Sequence, residues 1–195
     1  MKYMKDFVQH FSSFPVFTIS DARLFLTDRG ASREYVYLLI TNLLRSGRIK
    51  KLKRGFYTFR DDPMLAGFAF SPSYHGLQDA LSLHNLWEQE TNTIIITPRR
   101  VRSGMREILG GNVLVRRINR SMFFGFGSMK YSDLWINVSD IEKTLIDFIY
   151  FNEPLDKATL HAMRGKIDAE KMKQYLGRCP ERVRAKVLKL LGVKM

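Results

Sequence analysis

Cysteine is nearly missing from this chain. Cys179 stands alone among 195 residues, which excludes an internal disulfide and a cysteine-based zinc site. No apolar run approaches the ~18 residues of a membrane span. The opening MKYMKDFVQHF has no apolar stretch of signal-peptide type, so a cytoplasmic location without a membrane partner is expected. The four histidines (His10, His75, His84, His161) show no i, i+4 or His-x-His pairing, so no metal site is expected. No GKS/T follows Gly125-Phe126-Gly127, so there is no phosphate loop, and no cofactor is expected. Acids are the scarcest class relative to their partners: 19 Asp and Glu face 32 Lys and Arg, for a net charge of +13. With 45% hydrophobic residues the composition is still that of a folded protein.

The excess of base calls for a polyanionic partner, because a basic face gains free energy by releasing counterions from phosphates. An anionic membrane surface and plain solubility are the competing explanations. The charge falls in blocks. Residues 1–60 carry +8, 61–98 carry −5 with no base at all, 99–130 carry +7, 131–150 carry −3, and 151–195 carry +6. Such blocks predict separate basic surfaces.

Residues 3–12 place Met4, Phe7, Val8 and Phe11 at helical spacing. FPVFTIS follows as a short strand, then a helix over DARLFL with Ser20 as its cap. Gly30 ends that helix, and Ser32 caps a third. There Val36, Leu39, Ile40, Leu43 and Leu44 form a full apolar stripe. Ser46-Gly47 stops it, and RIKKLKRGFYTFRD reads as a basic hairpin turning at Arg54-Gly55. Ile49 and Leu52 cannot both face inward in a regular strand, which leaves the register open. The order of helix, helix, short turn, helix, hairpin is that of a winged helix-turn-helix.

A boundary is placed at Asp61-Asp62-Pro63, giving domains 1–62 and 63–195, the latter with a mixed core (63–152) and a helical tail (153–195). The fold class is α+β. SPSYHGLQDALSLHNL is expected as a helix, and TNTIIIT, NVLVRRI, SMFFGF and DLWINV as strands. SDIEKTLIDFIYF is expected as a helix with a Ser139–Glu142 capping box and an apolar face of Ile141, Leu145, Phe148 and Ile149. The tail reads as two or three helices, with Pro180 in the first turn of the last.

Duplex DNA is the expected partner of the first domain. Base edges are met by the amino-terminal half of the third helix, so Arg33, Tyr37 and Thr41 are the candidate readers, flanked by Ser32 and Arg45. Arg48, Lys50, Lys51, Lys53 and Arg54 of the hairpin are placed on phosphates or in a minor groove. A possible second basic surface comprises Arg99, Arg100, Arg102, Arg106, Arg116, Arg117 and Arg120. It could extend the DNA footprint, bind RNA or meet an acidic protein, and Arg116 and Arg117 point to opposite faces of a strand. No catalytic residue is expected. Gly127-Ser128 with Asp133 matches part of a nucleotidyltransferase signature, but Trp135 stands where the second carboxylate is needed.

Three stretches resemble the AbiEi-type antitoxins, transcriptional regulators of viral defence. They are RSGRIKKLKRGFYTF, the run YHGLQDALSLHNLWEQ with TIIIT, and INVSDIEKTLIDFI with Glu142, Lys143, Thr144, Leu145 and Asp147. The likeness covers about residues 15–150. It implies an amino-terminal winged helix and a carboxy-terminal antitoxin domain. It also implies repression of the chain's own operon at promoter repeats. Finally, it implies neutralisation of a nucleotidyltransferase-like toxin without a stable complex, as in type IV abortive-infection systems. A stand-alone winged-helix transcription factor with a dimerisation or sensing domain is the alternative. An enzyme using Asp140, Glu142 and Asp147 is the third reading. The oligomeric state is left open.

Overall fold

The computed structural model describes residues 2–192 as a mixed α+β chain. It divides into two compact units. One comprises the chain through Ala69 together with Glu107–Asn112, and the other comprises Phe70–Arg106 and the chain from Val113 onward.

In the first unit, α1 (Met4–Phe11), β1 (Phe17–Thr18), α2 (Ile19–Thr27) and α3 (Arg33–Arg45) precede a hairpin of β2 (Lys50–Lys53) and β3 (Phe56–Thr58). The strands form an antiparallel sheet in the order β1-β3-β2. Its core joins Phe7, Phe11, Phe17, Phe25, Leu26, Val36, Leu39, Leu43 and Ile49. Aromatic rings dominate it, with Phe7 and Phe11 4.6 Å apart and Phe11 and Phe17 4.8 Å apart between centroids. The cap of α2 differs from expectation. Thr18, not Ser20, starts the helix, and it forms a reciprocal box in which Thr18 N donates to Asp21 at 2.7 Å and Asp21 N donates to Thr18 Oγ1 at 3.1 Å. Strand pairing ends at Thr18, so the chain is already helical when it reaches Ser20. The open question of hairpin register is answered by a bulge. Lys51 pairs with Tyr57 and Lys53 with Phe56, so one extra residue is inserted at Leu52. That slip turns Leu52 inward along with Ile49.

In the second unit a mixed sheet runs in the order β6-β7-β5-β4-β9-β8. Its strands are β4 (Tyr74–His75), β5 (Thr93–Thr97), β6 (Gly104–Ile108), β7 (Gly111–Arg117), β8 (Phe126–Tyr131) and β9 (Leu134–Ser139). The tips of β6 and β7 fall within the residues that cluster with the first unit. β5 pairs with β7 and β4 with β9 in parallel, whereas β4–β5 and β8–β9 are antiparallel. All of β5 is buried, as its unbroken β-branched run predicts. Two expectations are corrected. SPSYHGLQDALSLHNL is split into β4 and a short helix α5 (Leu77–Leu83), which follows the one-turn α4 (Ala66–Ala69), since Tyr74 and His75 pair with β5. SMFFGF is no strand as a whole: Ser121 and Met122 complete a one-turn 3-10 helix at Arg120–Met122, capped by Asn119, and β8 begins only at Phe126, after Gly125 turns the chain with φ +70°.

The helix of residues Ile141–Phe151 lies among the sheet and the tail helices at Lys157–Arg164, Ala169–Leu176 and Glu181–Leu191. Its cap is Asp140, whose side chain accepts from Lys143 N at 2.8 Å. Ser139 instead bonds Thr144 at 2.7 Å, and Glu142 accepts from Asp168 N at 2.8 Å. The predicted capping box is therefore absent. Pro180 is the cap of the last helix rather than part of its first turn. Among the described residues no helix is long and apolar enough to cross a membrane.

Candidate nucleic-acid interface

α3 presents two unlike faces. Val36, Leu39, Ile40 and Leu43 are buried, and Leu39 and Leu43 are fully so. Arg33, Tyr37, Thr41 and Arg45 recur every four residues along the opposite face and are exposed. Ser32 caps the helix by accepting from Tyr35 N at 3.3 Å. Tyr37 is 59% and Leu38 54% exposed, unusually open for side chains of that size. Glu34 is the one acid on this surface segment. Its carboxyl is held below the ordinary value by backbone and Ser32 hydrogen bonds, with Arg33 adding a smaller pull.

The hairpin of the same unit carries the second group. Lys51 and Arg54 are exposed and have no ion-pair partner among the described residues. Lys50 pairs with Asp61, three residues beyond the end of β3. Lys53 lies 4.3 Å over the Phe56 ring, and Arg48 reaches Met4 Sδ at 3.5 Å. Gly55 takes φ +82° at the turn, a region open to glycine at no steric cost.

The arginines of 99–120 belong to the second unit, apart from this surface in the chain. Arg99 donates to the Ser71 carbonyl at 2.7 Å, Arg106 bonds the Arg102 carbonyl, and Arg116 is paired with Glu153. Arg100, Arg102, Arg117 and Arg120 are exposed.

The carboxylates of the enzyme reading all have structural partners. Asp140 accepts from Tyr175 Oη at 2.8 Å and lies 2.9 Å from Lys171 Nζ, while Glu142 lies 3.1 Å from the same ammonium. Burial acts against the charge of Lys171, but the hydrogen bonds to Asp140 and Glu142 more than offset it and hold its pKa above the usual range. Tyr175 is pushed up to about 12, first by burial and then by its bond to Asp140. Asp147 forms a fully buried ion pair with Lys143 and accepts from Tyr74 Oη at 2.8 Å. Complete burial pushes the Asp147 carboxyl up against the opposing pull of Lys143 and Tyr74. Tyr74 is raised well above its ordinary value by burial and then by Asp147. Cys179 is buried, its thiol raised by that burial, and its Sγ meets the Tyr175 carbonyl at 3.3 Å. Among the described residues no group of three or more His, Cys, Asp or Glu could hold a metal ion. No local pattern signals the Tyr74–Asp147–Lys143 network, because 73 residues separate Tyr74 from Asp147.

Residues 8–60, which contain α2, α3 and the hairpin, match the family model described as transcriptional regulator, AbiEi antitoxin. This stretch is similar to the AbiEi-type regulators over about a quarter of the chain. None of the curated proteins matches the chain. In fold, it is similar to the crystal structure of the RV2827C protein from Mycobacterium tuberculosis. The TM-score is 0.64 at 15% identity, over 99% of this chain and 78% of that one. That likeness in fold extends well beyond residues 8–60.

Proposed function

We propose that the chain is a DNA-binding repressor that autoregulates its operon and serves as antitoxin to a nucleotidyltransferase-like toxin in abortive-infection defence. Residues 1–62 are the winged helix-turn-helix, with α3 in the major groove and the β2–β3 hairpin as the wing. Residues 63–195 are the antitoxin-like domain. The observation that carries this reading is the exposed line Arg33-Tyr37-Thr41-Arg45, in one compact unit with the basic hairpin and inside the stretch that matches an AbiEi regulator. In this reading Arg33, Tyr37 and Thr41 meet base edges. Ser32, Arg45, Arg48, Lys50, Lys51, Lys53 and Arg54 serve the backbone. Lys50 must then exchange Asp61 for a phosphate. Neutralisation proceeds without a stable toxin complex.

Two measurements test this. Binding to the chain's own promoter region should weaken steeply with salt. Lys51→Ala/Arg54→Ala should lower the log–log salt slope by about 2 and weaken all duplexes alike. Tyr37→Ala and Arg33→Ala should alter sequence preference, with about 1–3 kcal/mol lost at the positions they read. Unchanged binding in all these variants would remove the DNA assignment. Co-expression with a neighbouring nucleotidyltransferase gene should relieve its toxicity, and failure to do so would leave only the regulator.

A further inference from the structure

The six arginines around the carboxyl ends of β5 and β7 have a geometry that their spacing does not reveal. β5 and β7 are parallel neighbours with Thr97 opposite Arg117, so their carboxyl ends lie side by side. The segment after β5 carries Arg99, Arg100 and Arg102, and the segment after β7 carries Arg120. Hydrogen bonds tie these segments together. Ile118 N donates to the Thr97 carbonyl at 3.0 Å, and Arg117 N donates to Ser103 Oγ at 3.0 Å. Ser103 thus brings the backbone next to Arg102 onto Arg117. Arg99, through Ser71, and Arg106, through the Arg102 carbonyl, brace the loop. Arg100, Arg102, Arg117 and Arg120 are left exposed, their guanidinium groups without an ion-pair or hydrogen-bond partner among the described residues. Glu107 is the lone acid from residue 91 to 132.

We propose that this arginine fan is a second nucleic-acid site, gripping phosphodiester backbone independently of the hairpin. Clustered like charges repel one another when nothing anionic is bound, and phosphates relieve that repulsion. Every base in the fan is arginine, whose planar fork matches phosphate oxygens in pairs, whereas three of the five basic residues at 48–54 are lysine. The fan also lacks an apolar anchor. None of the exposed large hydrophobic residues lies in 98–103 or 116–121. Protein docking sites centre on such anchors, while backbone contacts need none. The site does not depend on the hairpin assignment, although both use the same chemistry.

The test uses the full chain with a mixed-sequence DNA duplex and a mixed-sequence single-stranded RNA as probes. Removing the fan with Arg100→Ala/Arg102→Ala/Arg117→Ala/Arg120→Ala should lower the salt slope by about 3.6 on duplex and about 2.8 on single-stranded RNA. The same drop should appear when these changes are added to Lys51→Ala/Arg54→Ala. All four side chains are exposed, so thermal unfolding should be unmoved and serves as the folding control. Lysine at the four positions should keep the slope. The probe on which the drop reaches the full value for four contacts identifies the backbone gripped. A slope unchanged on both probes overturns the site and leaves the hairpin assignment intact. A polyglutamate competitor as effective per charge as nucleic acid also overturns it, in favour of an acidic protein. If only the hairpin changes prove neutral, the wing assignment falls and the fan stands.

Discussion

α3 and the helix at Ile141–Phe151, hereafter α6, are close in length and opposite in design. α3 keeps its apolar residues on one side and leaves Arg33, Tyr37, Thr41 and Arg45 in water. α6 buries seven consecutive residues, Glu142 through Phe148, of which Glu142, Lys143, Thr144 and Asp147 are polar or charged. A charged residue on α3 is therefore available to a partner molecule, whereas a charged residue on α6 holds the fold together. The run Glu142-Lys143-Thr144-Leu145-Ile146-Asp147 belongs to the second kind. Glu142 is bonded to Asp168 N and Lys171, Thr144 to Ser139 and the Asp140 carbonyl, and Lys143 to Asp147.

The largest expected effect separates these two roles. Lys143→Met strands the Asp147 carboxylate at a site with 0% exposure and should cost about 3–5 kcal/mol in urea unfolding. Replacing the network together, with Asp147→Leu and Tyr74→Phe added, should recover much of that loss, because no buried polar group is left unpaired. Arg33→Ala on α3 should change stability by no more than about 0.5 kcal/mol while altering DNA preference. If Lys143→Met proves as mild as Arg33→Ala, the contrast between the helices fails.

Gly125 sharpens the comparison from the other side of α6. It takes φ +70°, and a Cβ there would lie 2.8 Å from Lys143 Cβ and 2.9 Å from Tyr175 Cε2. Gly125→Ala should therefore cost about 1–3 kcal/mol. By contrast, Gly47→Ala, just beyond α3, meets no atom within 4 Å and carries only the cost of its φ of +67°. A Gly125→Ala protein that unfolds at the same urea concentration as Gly47→Ala would mean that α6 does not pack as tightly as described.

The helix caps give a smaller effect. Ser32→Ala should cost about 1 kcal/mol, as expected of a simple N-cap. Asp140→Ala should cost more, because Asp140 also holds Tyr175 and Lys171. Ser139→Ala should lose the Thr144 and His75 carbonyl bonds without loosening the first turn of α6.

The difference between the two helices also explains what the sequence revealed. The stripe Val36-Leu39-Ile40-Leu43 is a local period, and the exposed line of α3 follows from it. Gly30, Gly47 and Gly55 all take positive φ where the turns were expected. α6 was recognisable as a helix, but its orientation was not, because an apolar stripe cannot show that the polar residues beside it are also enclosed. Ser139 and Asp140 are both good caps, and only the pull of Thr144 and the His75 carbonyl on Ser139 decides between them. β4 has two residues and owes its existence to β5 and β9 on either side. The arginine fan depends on two strands being parallel neighbours, which no local pattern encodes.

The subtlest contrast lies in proton linkage, where one carboxyl beside each helix start or core responds to pH with opposite sign. Glu34 on α3 has its pKa lowered from 4.5 by backbone and Ser32 hydrogen bonds. Its folded state binds the proton less tightly than the unfolded chain. Its contribution is therefore present above pH 4.5 and lost as pH falls through the folded value. Asp147 on α6 has its pKa raised from 3.8, chiefly by burial. Its folded state binds the proton more tightly, so its contribution to stability diminishes as pH rises from 3.8 through the folded value. Carboxyl-detected NMR titration of the folded protein should find the Glu34 midpoint below 4.5 and the Asp147 midpoint above 3.8. Glu34→Gln should abolish the first without moving the second. A Glu34 midpoint above 4.5 together with an Asp147 midpoint below 3.8 would reverse the assignment of which carboxyl faces water and which the helix core encloses.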